Sequence, residues 1–135
     1  MRKVVKAIIF KHDRFLLQLR DYKNDIFYPN HWGFFGGEID KFESEKDTLM
    51  REIFEELFWL PKKYKYFSNA KDIYSNCLII YYLVYFDSDN SKLILGEGQD
   101  MQWFAVEDID VLLTTPKNMS EFLCDENLHK EMLTL

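Results

Sequence analysis

At 135 residues the chain has the length of one domain, and a hydrophobic content of 47% is enough for a sizeable core and too much for a disordered segment. A net charge of −6 excludes an electrostatic nucleic-acid binder, which needs a basic footprint, but leaves phosphorylated small molecules open, because a metal ion can neutralise them. Two isolated cysteines, Cys77 and Cys124, form neither a zinc motif nor a disulfide framework, which fits reduced thiols and a cytoplasmic location, and no apolar run approaches the ~18 residues that span a membrane.

Val4 to Phe10 is β-branched and apolar and predicts a buried strand, too short in its apolar run for a signal peptide. Lys11 to Arg14 is a turn, and Phe15 to Leu19 a second strand that closes a hairpin. Arg20 follows it, placed either to approach a phosphate or to sit on the surface. Asp21 to Asn30 is a polar and aromatic loop with a turn signal at Pro29-Asn30. His31 to Phe35 leads as a short strand into Gly36-Gly37, where the missing Cβ atoms let the backbone turn tightly and approach a partner. Tyr28, Trp32 and Phe34 have faces that could stack on a base or sugar, although any one of them alone is better read as packing.

A helix is predicted from Ser44 to Phe58, with Ser44 as N-cap and Asp47 as a weaker capping-box partner. At roughly 100° per residue, Glu45, Glu52, Glu55 and Glu56 share one arc, and Leu49, Met50, Ile53, Phe54 and Leu57 the adjoining one. Like charges at this spacing cost ~0.2–0.5 kcal/mol per pair in a bare helix. A hard divalent cation such as Mg²⁺ or Mn²⁺, which prefers oxygen ligands, would remove that repulsion. A solvated acidic face is the ordinary alternative.

Pro61 to Asn69 reads as a basic-aromatic connector, and Asp72 to Phe86 as one long strand or two paired ones. Asp87 to Ser91 is a turn and Leu93 to Leu95 a short apolar piece. Gly96-Glu97-Gly98-Gln99 is a loop before a strand at Met101 to Phe104. Val106 to Leu113 and Met119 to Leu133 read as helices, with Asn118 just ahead of the second, where it could be a cap.

Gly37 is followed by five residues and Glu43, then by seven more and Arg51-Glu52, Ile53-Phe54 and Glu55-Glu56. This resembles the Nudix box, with the same residue types at the same separations up to the double glutamate. Two departures stand out: Phe58 occupies the usual glycine position at the helix exit, and Phe35 a position where proline is frequent. The resemblance implies a single α/β domain over residues 1–135, an α/β/α sandwich with a mixed β-sheet, which the element order also fits. It implies metal-dependent hydrolysis of the pyrophosphate linkage in a nucleoside diphosphate joined to a further group, with Mg²⁺ or Mn²⁺ as cofactor. Glu52, Glu55 and Glu56 would be ligands, with backbone groups near Gly37. Glu97, in an EGQ context like that of MutT-like members, would join them, and either Glu52 or Glu97 would be the general base. Arg51 would serve the catalytic set by holding the loop and helix together with Glu43. Arg20, Trp32, Phe34 and Asn118 are the substrate-side candidates, Asn118 as a reader of a purine base. The implied substrates are nucleoside triphosphates, oxidised purine nucleotides among them, cut to a monophosphate and pyrophosphate. Nucleotide sugars, dinucleoside polyphosphates and a regulatory nucleotide-binding domain with little turnover are the alternatives. The expected partner is a small nucleotide, with no nucleic-acid polymer, no membrane, and a homodimer allowed.

Overall fold

The structure is a computed structural model that describes residues 1–89 and 92–135. β1 (Arg2–Lys11) is its centre. It pairs in parallel along its length with β6 (Cys77–Tyr85), which pairs antiparallel with β5 (Lys63–Asp72) at the sheet edge. On its other side β1 has two partners in succession. Val4 to Ala7 pair with β4 (Phe35–Glu38), and Ile9 to Lys11 pair with β2 (Arg14–Leu19). The sheet therefore forks near Ile8. β2 runs on to pair with β3 (Trp32–Gly33) and β7 (Asp100–Ala105), and β3 pairs in parallel with β8 (Thr114–Thr115).

Both faces of this mixed sheet are covered, which explains why β1 and β6 are near-continuous apolar runs. Val5, Ala7, Ile9, Leu16, Phe35 and Val84 face α1 (Glu45–Leu57) through Leu49, Ile53 and Leu57. Ile8, Phe10, Phe15, Leu17, Phe34 and Leu83 face the other way. They meet α2 (Val106–Ile109), α3 (Met119–Leu123) and α4 (Glu126–Met132) through Ile109, Met119, Leu123, Leu128 and Met132. Each fully buried aliphatic side chain contributes roughly 1.5–3 kcal/mol. The layers are those of an α/β/α sandwich. Among the described residues no helix is long and apolar enough to cross a membrane.

Several sequence expectations change. The connector at 61–69 is largely strand: β5 starts at Lys63 and has no fully buried residue, so an edge strand replaces the expected loop without an alternating apolar signal. The segment 72–86 opens as the tail of β5, turns at 73–76, and continues as β6. The turn expected at 87–91 runs into positions outside the described residues. The helix expected at 106–113 ends at Ile109, and the chain returns to the sheet as β8. The helix expected at 119–133 is broken, because the Asp125 carboxylate accepts from the N–H groups of Asn127 and Leu128 and starts α4 as a new helix.

α1 begins as expected, with Ser44 Oγ accepting from Asp47 N–H at 3.0 Å. Its buried side is rotated from the expected arc: Phe54 is exposed, whereas Glu56 is 2% exposed. At the exit, Phe58 takes the left-handed conformation, φ 55° and ψ 37°, and donates its N–H to Phe54 O. The helix stop usually supplied by glycine is thus kept by an aromatic residue, whose ring sits 5.9 Å from that of Phe54. A non-glycine residue in this region costs roughly 1–2 kcal/mol, and glycine loses about 0.5–1 kcal/mol more backbone entropy on folding. Phe58→Gly should therefore stabilise the fold by about 0.5–1 kcal/mol, read as a higher urea midpoint at unchanged slope.

Candidate active site

The site is built where α1 passes behind β4. Glu52 lies so close to the strand that a Cβ on Gly37 would come within 2.2 Å of Glu52 Oε1, so any other residue there would push the carboxylate aside. Arg51 fixes this arrangement. Its Nε and Nη2 donate to the two Glu43 oxygens at 2.7 and 2.9 Å, Nη1 donates to Glu52 Oε1 at 2.8 Å, and Nη2 also reaches Glu38 O at 3.2 Å. A planar guanidinium with five donors suits this role, since it ties loop, strand end and helix in one fork. Glu43 also accepts from Thr48 Oγ1 at 2.8 Å and Asp40 N–H at 3.1 Å.

Glu56 lies deeper. Gly36 N–H donates to its Oε1 at 3.2 Å and Gln18 Nε2 to its Oε2 at 3.4 Å. Burial pushes its pKa well up, the Lys6 ammonium opposes the shift, and the negative charges of Glu52 and Glu97 add to it. Glu52 and Glu56 approach closely enough to share a hydrogen bond. Glu55 points outward, with its side chain 58% exposed and Oε2 3.6 Å from Arg51 Nη1.

Glu97 is brought in by its loop. Gly96 N–H donates to Glu56 O at 2.7 Å and Ile94 N–H to Leu57 O at 3.3 Å, so the loop caps the open carbonyls of α1. A Cβ on Gly96 would meet Glu55 O at 2.4 Å, which makes the glycine a condition of that contact. Gln18 Nε2 holds Glu97 O at 2.8 Å, and Gln99 N–H donates to Leu19 O at 2.8 Å. The loop is thus stitched to α1 and β2.

On the opposite face of the sheet, beyond the cover of α2 to α4, lies a cavity of about 500 Å³. Val4, Lys6, Ile79 and Tyr81 form its floor, Phe27, Tyr28, Phe34 and Arg20 line its wall, and Lys117 and Asn118 its rim. Its volume suits a drug-sized or nucleoside-sized ligand. Arg20 Nε donates to Phe27 O at 3.0 Å. Tyr28 donates its hydroxyl to Asp72, which also accepts from Ser75. Burial first, and this bond second, push Tyr28 up to about 12. Phe34 has one ring face in the core, edge-on to Tyr81 and Phe122. Asn118 occupies the N-cap position of α3 but makes no capping bond with its side chain. Trp32 is outside the cavity, packed edge-on against Phe104 at 5.0 Å. Of the four substrate-side candidates, Arg20, Phe34 and Asn118 share the cavity. Glu52 and Glu56 lie against Gly37 and Gly36, Glu97 is joined to Glu56 through Gln18, and Glu55 points outward beside Arg51.

Two residues escaped the sequence reading. Gln18 is 5% exposed and joins Glu56 to the Glu97 loop. Lys6 lies on the cavity floor opposite Gly36 in the β1–β4 ladder. Both had a signal, a polar residue interrupting an apolar strand, in FLLQL and VVKAII.

A family model described as the NUDIX domain matches residues 1–125. The chain belongs to the Nudix family. Solved structures agree in fold. A MutT Nudix hydrolase from Burkholderia pseudomallei is 23% identical with a TM-score of 0.78, covering 92% of this chain and 98% of that one. The E. coli ORF135 protein is 25% identical with a TM-score of 0.70, covering 91% and 89%. The Nudix domain of Shewanella oneidensis NrtR, in complex with ADP ribose, is 19% identical with a TM-score of 0.73, covering 96% and 87%. No curated protein matches the chain. Family membership makes the chain a Nudix pyrophosphohydrolase, a class acting on nucleoside diphosphate derivatives.

Nudix hydrolases generally use divalent metal ions. Among the described residues no three acidic, His or Cys side chains form a ready-made cage. The donor set nevertheless fits a hard cation: every candidate ligand is oxygen, and Glu56 is a buried carboxyl raised in part by two neighbouring carboxylates. Hydrogen bonds from Arg51, and then from Thr48, draw Glu43 down to about 2. A depressed carboxylate stabilises the fold above its unfolded pKa of about 4.3, and that stability is lost as pH falls toward about 2. Glu43→Gln should melt below wild type near neutral pH, with the gap closing as the solution is acidified over that window, as thermal melts across pH would record.

Proposed function

We propose that the chain hydrolyses nucleoside triphosphates, purine nucleotides including oxidised ones in particular, to a monophosphate and pyrophosphate. One observation carries the reading: a nucleoside-sized cavity opens on one side of Gly36-Gly37, and the buried Glu56 carboxyl hydrogen-bonds Gly36 N–H from the other. A nucleoside seated in the cavity would direct its phosphates over the glycines toward the glutamates. The Asn118 amide, free of capping duty and at the rim, offers a donor and an acceptor to a purine edge. Arg20 offers a positive charge to a phosphate.

Glu52, Glu55, Glu56 and Glu97 would hold Mg²⁺ or Mn²⁺, which when bound neutralises phosphate charge and acidifies water. Arg51 acts as a positioning residue, since its donors are spent on Glu43, Glu52 and Glu38 O. Glu52 is committed to that guanidinium, whereas the exposed Glu97 carboxylate has no hydrogen-bond or ion-pair partner among the described residues. Glu97 is therefore the better placed carboxylate to accept the proton of the attacking water. Phe58, which departs from the usual box glycine, keeps the left-handed helix exit, which supports turnover over a purely regulatory domain.

The test is release of pyrophosphate or phosphate, with Mg²⁺, from a panel of ordinary and oxidised nucleoside triphosphates, nucleotide sugars and dinucleoside polyphosphates. Purine triphosphates should lead and yield pyrophosphate; a panel led by nucleotide sugars would overturn the substrate assignment. Glu97→Gln should lower kcat by about 10²–10⁴ with a smaller change in KM. Glu56→Gln should abolish turnover yet raise the melting temperature without metal. Its raised pKa means that the ionised carboxylate costs stability increasingly as pH rises above the unfolded value, and glutamine removes that cost. A Glu56→Gln protein with wild-type turnover would remove this carboxylate from the site.

A further inference from the structure

Arg2, Glu38 and Asp72 also line the cavity, but of the four sheet residues on its floor, Val4, Lys6, Ile79 and Tyr81, only Lys6 is charged. Its one hydrogen bond is to Phe34 O at 3.4 Å, which is long and leaves donors unused. Arg20 lines the same cavity and uses Nε on a carbonyl, Phe27 O. Among the described residues neither cation has an ion-pair partner within 4 Å, and they repel each other. Burial first, and this repulsion second, push the Lys6 pKa down, with more distant attraction from Glu56, Glu52 and Glu97 opposing. Arg20 is likewise attracted by Glu97, Glu56 and Asp21, but neither cation has a directly paired carboxylate among the described residues, and a bound anion would supply a counter-charge to both.

Position identifies the anion. Lys6 is the ladder partner of Gly36, and Gly36 N–H bonds Glu56. The ammonium therefore stands at the crossing from nucleoside cavity to glutamates. From this geometry we infer that Lys6, with Arg20, binds the phosphate attached to the nucleoside, the one the monophosphate product keeps. This deepens the nucleotide reading above and rests on it. Lys6 then grips a group present before and after cleavage, so its contribution is to binding and alignment. A lysine ammonium meets phosphate as a point charge and tolerates the small displacement that accompanies bond breaking.

The experiment measures binding without turnover. Calorimetry and NMR titration, in buffer with EDTA, would compare GMP and AMP with guanosine and adenosine. Wild type should prefer the monophosphates. Lys6→Met should weaken them by roughly ten- to a hundredfold, the range of a charged hydrogen bond, and leave the nucleosides within about twofold. Lys6→Arg should restore most of the loss, and Arg20→Met should show the same phosphate-selective pattern. The phosphorus-31 shift of bound GMP should move between wild type and Lys6→Met. Met is apolar and close in length, so Lys6→Met should melt at or above the wild-type temperature. Should Lys6→Met misfold, Lys6→Gln and Arg20→Met carry the same comparison. Monophosphate binding unchanged in these variants, with wild type binding both ligand sets, would overturn the Lys6 inference alone. Equal weakening of nucleosides and monophosphates would make Lys6 a packing residue and overturn it too. A wild type that binds neither set would remove the nucleotide reading of the cavity and this inference with it.

Discussion

A carboxyl group buried where α1 meets the sheet is the constraint on which the rest of this molecule depends. Glu56 is drawn into the interior beside Leu57 and Ile53, on a helix face that a purely apolar packing rule would have filled with Phe54. An acid so placed needs donors, and the chain supplies them from separate elements: a backbone amide of β4 and the Gln18 side chain of β2. Those bonds draw β4, β2 and α1 to one point. The same Gln18 holds the Glu97 loop, so satisfying one buried acid also positions a second.

Around this point the work is divided between charge and shape. Arg51 gathers Glu43, Glu52 and the end of β4, and fixes the orientation of α1 against the strand. Glycines at 37 and 96 are sites of contact rather than of flexibility. At one the Glu52 carboxylate occupies the space of a side chain, and at the other the Glu55 carbonyl does. Of the acidic side chains, Glu52 and Glu56 are held by hydrogen bonds, whereas those of Glu55 and Glu97 are exposed.

The acidic helix, its cap and the two-faced strands were legible because each follows from local spacing. Ser44, the apolar trio Leu49, Ile53 and Leu57, and the buried apolar run of β1 needed no distant information. What was lost depends on distant neighbours. β5 carries Lys63, Lys65 and three aromatics without a buried side, and only the ladder with β6 makes it a strand. The break between α3 and α4 turns on one carboxylate choosing local amides over helix continuation. Trp32, an inviting stacking surface in sequence, meets Phe104, a residue more than seventy positions later. Lys6 and Gln18 looked like blemishes in apolar strands, and their partners are visible only once the sheet is assembled.

The fork in the sheet gives the cavity a particular character. β1 hands its edge from β4 to β2 near Ile8, and the cavity lies on the β4 side of that handover, over Val4 and Lys6 of β1 and Ile79 and Tyr81 of β6. The ladders β4–β1–β6 fix the ground of the cavity, whereas side chains such as Phe27, Tyr28, Phe34 and Arg20 set its sides. Room for a broader guest would therefore come from the 20–31 segment that carries Phe27 and Tyr28, which belongs to no helix or strand, while the woven ground stays put.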